Sequence, residues 1–429
     1  MRPMWCAFRR SMSEPLPPQV HRRADCRLCA GTDLELVLAL TPTPPANAFV
    51  PPTERDKPQP VFPLDLFLCR SCFHLQMLDV VDPRLLFENY VYVSGTSPVF
   101  VRHFQDYAAE LIRRYAPAPG SLALDIGSND GTLLRFFKEA GLAVLGIDPA
   151  RSIAEAATQA GIETKVGFFT PDFAERLRAE RRAATIITAN NVFAHIDDLA
   201  GVVRGVRSLL ADDGVFAFEV SYLVDVVEKT LFDTIYHEHL SYHSVRPLIP
   251  FFAANGMELI EAQRISTHGG SLRGIAQLRG GPWKVGPSVG EALATEARLG
   301  LDKAESFRAF GRDIDRIKAE LRLLLHGFKA AGKSIAGFGA PAKATTLMYH
   351  FDIGPKIVDF IVDDSPLKQG LLTPGMHIPV LGSSALTERR PDYLIVLAWN
   401  FAQSIVAKHG AYRAAGGQFV VPLPAIEVI

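Results

Sequence analysis

Short apolar runs alternate with segments of helical periodicity through the middle of the chain. Leu122–Ile126 is one such run, and a glycine-bracketed loop follows it. Apolar residues then recur at helical spacing over 133–137, and a second apolar run ends at Asp148. This order predicts a β-loop-α-β unit of a parallel sheet, with the loop at the edge where such sheets bind ligands.

The same alternation continues along the rest of the chain. It predicts helices at 99–115, 152–160, 171–182 and 202–210 and strands at 162–166, 184–189 and 215–220. Residues 290–329 form a long amphipathic helical region, which we interpret as an arm or interdomain brace. A second β-loop-α unit begins with a strand at 334–338, and further strands are predicted at 357–362 and 393–398. At 429 residues the chain is long enough for two or three domains.

Composition and charge exclude several classes of partner. With 45 Lys and Arg against 46 Asp and Glu, no basic field favours nucleic acid. No run of 18 apolar residues is present, so we expect no membrane span. The first residues are too short and too charged for a signal peptide, and we expect 1–20 to be a disordered leader.

Four of the five cysteines form two C-x-x-C pairs: Cys26, Cys29, Cys69 and Cys72. Four thiolates close the tetrahedral coordination of Zn²⁺ and leave no position for water, which favours a structural role over a catalytic or redox one. A Pro-rich excursion at 41–63 fills most of the 39-residue spacer between the pairs. The pattern predicts one zinc per chain, in a reducing cytoplasm.

The loop after the first strand reads D-I-G-S-N-D-G, with Asp125, Gly127, Asn129 and Gly131. It lacks the G-x-G-x-x-G of dinucleotide sites and the lysine of a P-loop. It resembles the S-adenosylmethionine (SAM) site of class I methyltransferases, whose ligand has a cationic sulfonium and an amino acid tail that suit carboxylate neighbours. Asp148 is then placed to bind ribose hydroxyls, and the Asn190-Asn191 pair lies at the same sheet edge. An ordinary Rossmann-like turn is the alternative.

The densest polar stretch is Y-H-E-H-L-S-Y-H-S, from Tyr236 to Ser244. It is not H-E-x-x-H, so a two-imidazole metal face is missing. An imidazole with a carboxylate and phenols nearby suits a general base, although a polar interdomain loop fits about as well. Upstream, Tyr90, Tyr92 and Ser94 alternate so that three hydroxyls line one side, for a polyol pocket or for ordinary packing.

Two further motifs suggest substrate contacts. R-I-S-T-H-G-G-S-L-R carries His268 and two arginines, Arg264 and Arg273, suited to an anion, or else forms a glycine turn with solvated arginines. G-F-G-A-P-A-K places Gly339 and Lys343 at a helix start, a phosphate site in principle or a purely structural turn. Asn400 follows a later strand of the same unit.

Taken together and in order, these motifs resemble the sugar C-methyltransferases of deoxysugar pathways, which act on nucleotide-linked keto-sugars. The resemblance runs from Cys26 to about Val421 and includes A-N-N-V-F-A-H-I-D-D-L. It implies a structural zinc and a middle domain that binds SAM. It implies a nucleotide-diphosphate sugar in the cleft between the middle and C-terminal domains. His239 would be the base that forms an enolate, and Glu238 would orient it. Tyr236 and an N-terminal tyrosine, Tyr90 or Tyr92, would hold the sugar or its enolate.

We therefore expect an α/β protein with a class I SAM methyltransferase domain, a small four-cysteine zinc domain and a second Rossmann-like domain. The expected boundaries are 21–88 for the zinc domain, 89–245 for the SAM domain and 246–429 for the C-terminal substrate domain. Two other functions stay open from the residues: O- or N-methylation of a small natural product, and a non-catalytic nucleotide-binding scaffold. We expect a cytoplasmic protein without nucleic acid or membrane partners, and the resemblance suggests a monomer.

Overall fold

The structure is a computed structural model, and it describes residues 19–87, 95, 98–180 and 183–429. Its strands form three main sheets, one for each expected domain, and a small two-stranded sheet beside the first. The expected architecture, an N-terminal four-cysteine unit followed by two Rossmann-like sheets, is confirmed.

The N-terminal unit is built from short antiparallel strands. Its strands are β1 (Val20–Arg22), β2 (Leu34–Thr43), β3 (Phe62–Cys69), β4 (Leu75–Met77) and β5 (Asp79–Val81), followed by helix α1 (Pro83–Phe87). The main sheet has the order β11-β4-β3-β2, where β11 (Ser241–Tyr242) comes from much later in the chain. A segment of the middle domain therefore completes the sheet of the zinc domain.

The middle domain is a seven-stranded sheet with helices on both faces. Its strands are β6 (Leu122–Ile126), β7 (Ala143–Asp148), β8 (Thr164–Val166), β9 (Ala184–Asn190), β10 (Leu210–Ser221), β12 (Met257–Ile265) and β13 (Ser271–Leu278). The order is β12-β13-β10-β9-β6-β7-β8, and β13 alone runs antiparallel to the other six strands. Chain order reverses between β6 and β9, which opens a crevice at their carboxyl ends.

Eight helices accompany this sheet. They are α2 (Pro98–Tyr115), α3 (Thr132–Glu139), α4 (Arg151–Gln159), α5 (Pro171–Glu180), α6 (Leu199–Leu209), α7 (Leu223–Glu228), α8 (Val245–Ala254) and α9 (Pro287–Leu299). Helix α2 buries Phe104, Tyr107 and Leu111 against the sheet, as its apolar spacing predicts.

The expected boundary at residue 245 is wrong, because the hairpin of β12 and β13 belongs to the middle sheet. Strand β13 pairs with β10 over six residues, from Phe216 with Ala276 to Ser221 with Ser271. Both strands bury apolar side chains on the sheet, so the apolar alternation of 257–278 extends this core and does not begin a new one.

The C-terminal domain begins with the long helix α10 (Ala304–Ala330) and contains a six-stranded sheet. The strands are β14 (Ile335–Phe338), β15 (Ile361–Val362), β16 (Val380–Leu381), β17 (Tyr393–Val396), β18 (Gln418–Val421) and β19 (Glu427–Val428), in the order β16-β15-β14-β17-β18-β19. The helices are α11 (Ala342–Phe351), α12 (Ser384–Arg389), α13 (Ala402–Lys408) and α14 (Gly410–Ala414). Its reversal of chain order lies between β14 and β17, which gives a second crevice.

Two expected elements are shorter than the pattern suggested. The helical region 290–329 divides at Gly300, whose φ of +64° ends α9 in the left-handed conformation. The strand expected at 357–362 is reduced to Ile361–Val362, because Ile357 and Val358 bond back to Gly354 in a turn.

The Pro-rich excursion of the zinc domain lies against the C-terminal domain. Val50 forms a β-bridge with Leu372, and the Thr345 hydroxyl donates to the Ala46 carbonyl at 3.1 Å. The three domains are thus held in mutual contact. Within the described residues, no helix is both long enough and apolar enough to cross a membrane.

Candidate active site

The loop after β6 requires glycine at the position the sequence indicated. Gly127 has φ +72°, and a Cβ there would collide with Val192 on the loop after β9. Gly131 has φ +75° and begins α3. A glycine at 127 therefore lets the loops of β6 and β9 approach closely across the crevice.

Asp148 holds the same loop in place from the end of β7. Its Oδ2 accepts the Asn129 N–H at 2.9 Å, and its Oδ1 accepts the Ala150 N–H at 2.8 Å. Asn129 is left-handed, with φ +51°. The two backbone bonds leave further lone pairs on Asp148, so a ribose hydroxyl can still be accepted.

Two buried polar side chains lie at the neighbouring strand ends. Asp125 Oδ1 accepts the Thr188 hydroxyl at 2.6 Å, and burial raises the pKa of Asp125 to about 7. Asn190 has neither side-chain atom hydrogen-bonded within the described residues, although both are shielded from solvent. Its neighbour Asn191 is left-handed, with φ +55°, and its N–H donates to the Glu219 carbonyl. A buried amide without partners beside a glycine loop and a carboxylate fits a polar ligand such as SAM.

The four predicted cysteines come together in space. Their sulfur atoms all lie within 4.8 Å of one another, with Cys26–Cys72 at 3.6 Å and Cys29–Cys69 at 3.5 Å. Thiolates about 2.3 Å from zinc lie about 3.8 Å apart in a regular tetrahedron, so the cluster fits the ion. Each knuckle ends in a left-handed residue, Ala30 or Phe73, whose N–H donates to the carbonyl of the first cysteine.

His239, the candidate base, lies in the turn Phe232–Leu240, which we call the catalytic turn after this predicted role. Its Nδ1 lies 2.7 Å from the Thr234 carbonyl, which can only accept, so Nδ1 carries the proton. Its Nε2 is then a bare acceptor, with no hydrogen bond to a described residue. Burial lowers the pKa of His239 to about 4, which keeps the ring neutral. This is the tautomer and charge that a general base needs.

Two aromatic rings enclose the His239 imidazole. The Tyr236 ring lies 4.1 Å away between centroids, and the His195 ring is stacked at 5.0 Å. His195 follows Asn190 and Asn191 at the end of β9, and its Nε2 is buried without a partner in the described residues. Sequence reasoning missed His195. Its position in A-N-N-V-F-A-H, just beyond a strand that ends at the ligand edge, was the available signal.

Glu238 does not orient His239 as expected. Its Oε1 accepts the Asn47 side-chain N–H at 2.8 Å, and burial raises its pKa to about 7. Neighbouring residues of a tight turn point in different directions, so Glu238 faces the zinc-domain excursion while His239 faces His195. The Thr234 carbonyl takes the orienting role instead.

All three domains fasten the catalytic turn. Leu240 N–H donates to Ala194 of the middle domain, and the Leu240 carbonyl accepts from Met77 of the zinc domain, both at 2.9 Å. The Thr346 hydroxyl of α11 donates to the Ile235 carbonyl at 2.7 Å. The turn thus lies where the middle and C-terminal sheets meet.

The C-terminal residues surround Asp233 of the same turn. Trp399 Nε1 donates to Asp233 Oδ2 at 2.6 Å, and Lys343 Nζ lies 3.8 Å from that oxygen and 3.7 Å from the Trp399 ring centroid. Gly339 has φ +85° and abuts Ala398, while Asn400 Oδ1 is buried without a partner in the described residues. Lys343 thus lies beside Asp233, and Gly339 and Asn400 follow the ends of β14 and β17, the strands that flank the second crevice.

The two arginines expected to contact an anion are occupied within the protein. Arg273 donates to Glu219 Oε1 at 2.7 Å and to Glu110 Oε2 at 2.6 Å. Arg264 donates to both carboxylate oxygens of Asp225, at 2.9 and 2.8 Å. Carboxylates distant in sequence therefore already neutralise both groups, so neither arginine carries an unpaired charge.

The remaining expected residues cannot be placed as fully. His268 lies in the short turn Thr267–Gly269 before β13, and its side chain is not among the described atoms. Tyr90, Tyr92 and Ser94 lie outside the described residues.

Comparison with known proteins identifies the family. Residues 26–87 match a zinc binding domain, 100–262 a methyltransferase domain, and 266–424 a C-methyltransferase C-terminal domain. The chain is 34% identical to the C-methyltransferase NovU of Streptomyces niveus over 405 residues, which cover 94% of this chain and 96% of that protein. The chain belongs to the C-methyltransferase family. It is a SAM-dependent C-methyltransferase with an N-terminal zinc-binding domain, so carbon methylation replaces the O- or N-methylation and scaffold alternatives.

Two solved structures also resemble this C-methyltransferase. The magnesium protoporphyrin IX methyltransferase of Synechocystis, solved with bound SAH, is 17% identical, with a TM-score of 0.33 over 41% of this chain and 82% of that one. A SAM-dependent methyltransferase of Anabaena variabilis is 14% identical, with a TM-score of 0.34 over 45% of this chain and 97% of that one.

Proposed function

We propose that this C-methyltransferase methylates a carbon next to the ketone of a nucleotide-linked keto-deoxysugar, through an enolate that His239 generates. The observation that carries the proposal is the Nδ1 hydrogen bond from His239 to the Thr234 carbonyl, which leaves Nε2 unprotonated. Methyl transfer to oxygen or nitrogen has less need of such a base, whereas a carbon nucleophile exists only after a C–H proton has been removed.

The substrate proposal is supported by the position of the catalytic turn between two crevices. On one side lie Gly127 and Asn190 of the middle sheet, and on the other Lys343 and Asn400 of the C-terminal sheet. A bipartite substrate with a nucleotide and a sugar suits a second Rossmann-like sheet facing the first. The C-terminal domain would hold the nucleotide, and the sugar would reach His239.

The residues that would hold SAM are those of the first crevice: Asp125, Gly127, Asn129, Gly131, Asp148, Asn190 and Asn191. When bound, SAM supplies an electrophilic methyl group on its sulfonium. The protein then contributes mainly alignment of the donor with the carbanion.

The residues of the turn have separate tasks in this mechanism. His239 Nε2 accepts the proton alpha to the ketone, a step to which a positioned base contributes roughly a hundredfold to ten-thousandfold. Negative charge developing on the enolate stabilises the imidazolium, so the pKa of His239 rises from about 4 as the proton moves. Tyr236 packs on the imidazole of His239 and offers its hydroxyl to the sugar. His195, stacked on the same imidazole, supplies a second imidazole beside the base. Tyr90, Tyr92 and Ser94 stay predicted substrate contacts.

The test measures proton exchange separately from methylation. With SAH in place of SAM, the wild-type protein is expected to exchange the alpha proton of a nucleotide-linked 4-keto-sugar into deuterated water. His239→Asn should abolish both exchange and methylation while SAM binding persists, and His195→Asn should slow exchange by tenfold or more. His326→Gln, on an exposed helical position, is the matched control. Exchange at the wild-type rate in His239→Asn would assign the base to another residue.

A further inference from the structure

The crevice of the C-terminal sheet contains a buried carboxylate that its own domain does not supply. Asp233 belongs to the catalytic turn, yet its side-chain partners among the described residues are Trp399, just after β17, and Lys343, at the start of α11. Asp233 is fully buried. The turn therefore places an anionic group at the point where an open α/β sheet binds its ligand.

Hydrogen bonding in this cluster is incomplete. Asp233 Oδ1 and Asn400 Oδ1 are shielded from solvent and have no partner in the described part of the chain. The Lys343 ammonium, on a side chain only 13% exposed, has an ion pair at 3.8 Å and a ring contact but no hydrogen-bond acceptor among described atoms. Buried polar atoms are nearly always hydrogen-bonded, so the two unpartnered oxygens, with an ammonium that has no acceptor, point to a ligand that supplies the missing bonds.

The charge of the cluster restricts which ligand fits. Lys343 alone would suit a phosphate, but Asp233 compensates its charge and would repel an anion placed beside it. The unpartnered carboxylate and amide oxygens need donors, and the ammonium needs an acceptor. A sugar hydroxyl is both donor and acceptor, whereas a diphosphate ionised at neutral pH only accepts.

We propose that Asp233, Lys343 and Asn400 form a charge-compensated subsite for the hydroxyl groups of the substrate's sugar, and that the phosphates bind elsewhere. This inference rests on the nucleotide-sugar function proposed above. It assigns a binding role to Asp233, and it replaces the phosphate role that the sequence suggested for Lys343. Because Asp233 lies six residues before His239, the contact also ties sugar recognition to the turn that carries the base.

The subsite is tested by calorimetry on the full-length protein with SAH bound. The probes are uridine and thymidine 5′-diphosphates and their glucose conjugates. For the wild-type protein, a glucose conjugate should bind more tightly than its free diphosphate. The affinity for the glucose conjugate should fall by tenfold or more in each of three variants: Asp233→Asn, Lys343→Met and Asn400→Ala. A lost hydrogen bond in such a charged site costs about that much. The same variants should change the affinity of the free diphosphate by less than twofold.

Asp359→Asn is the matched control, because Asp359 is an exposed carboxylate of the same domain that pairs with Lys329. SAH binding and thermal melting check that each variant is folded. Because three variants are compared, the test remains valid if one of them does not fold. Tighter binding of the free diphosphate to Asp233→Asn, or tenfold weaker binding of the free diphosphate to Lys343→Met, would overturn the inference in favour of a phosphate site. Equal binding of diphosphate and conjugate by the wild-type protein would also overturn it. A wild-type protein that binds neither series would instead refute the nucleotide-sugar function itself.

Discussion

Burial of two histidines should make the stability of this C-methyltransferase depend on pH between about 6.5 and 4. One fully buried histidine, His237, lies in the catalytic turn and contacts the Phe62 carbonyl. Another, His243, follows the turn, and its ring lies between Phe193 and His74. Burial lowers the pKa of both to about 4, from an ordinary value near 6.5. Burial also lowers the pKa of His74 and His195.

The direction of the change in stability with pH depends on which state binds more protons. Between pH 6.5 and 4 the unfolded chain takes up protons at these histidines and the folded chain does not, so the free energy of unfolding falls as the pH falls. At pH 5, a shift from 6.5 to 4 corresponds to about 2 kcal/mol for each histidine. His237 and His243 together account for about 4 kcal/mol, and His74 and His195 act in the same direction. That is a large part of the roughly 5–15 kcal/mol that stabilises a typical domain.

The assay is urea unfolding followed by tryptophan fluorescence, from pH 7.5 to 5. The wild-type slope against pH is the sum of this histidine effect and the opposite effect of Asp125 and Glu238, whose raised pKa values of about 7 favour the folded state as the pH falls. His243→Gln should reduce the slope against pH by about one proton, whatever its effect on stability at pH 7.5. His326→Gln, which removes an exposed histidine, should leave the slope unchanged. A wild-type slope in His243→Gln would show that the folded state already binds this proton, and would refute the reasoning.

Three other outcomes are expected. Asp148→Ala should weaken SAM binding by tenfold or more in calorimetry, because the loop loses its bond to Asn129 as well as a ribose acceptor; unchanged affinity would remove Asp148 from the site. Asn47→Ala should destabilise the protein by about 1–3 kcal/mol in urea unfolding, because it leaves buried Glu238 unpaired, and Glu238→Gln alongside it should recover part of the loss. Cys69→Ser should lower the zinc content of the purified protein and slow alpha-proton exchange more than it weakens SAM binding. The reason is that the Leu240 carbonyl is hydrogen-bonded to Met77 of the zinc domain. An equal loss of exchange and of SAM binding would show that the zinc domain does not act through the turn.

Sequence reasoning succeeded where the relevant contacts are local. The cysteine knuckles and the D-I-G-S-N-D-G loop are each formed by a few consecutive residues, and their glycines and spacing specify the backbone directly. The β-loop-α-β units were predictable for the same reason, because each strand and helix shows its own apolar period.

It failed where function depends on partners distant in the chain. Arg264 and Arg273 look free in sequence, yet Asp225 and Glu219 neutralise them across neighbouring strands and helices. Glu238 was expected to orient His239, but tertiary packing gave it Asn47, at a separation of 191 residues. No local period or motif encodes such pairings.

The two-residue strand Ser241–Tyr242 makes the zinc-binding module incomplete until most of the middle domain has been synthesised. It pairs with Leu75 and Gln76, which would otherwise be an open sheet edge. An N-terminal fragment carrying all four cysteines would thus expose backbone donors and acceptors to other chains. On the ribosome, this edge of β4 stays unpaired until residues 241–242 emerge, so the zinc-domain sheet is completed only when the turn that carries His239 has also been synthesised.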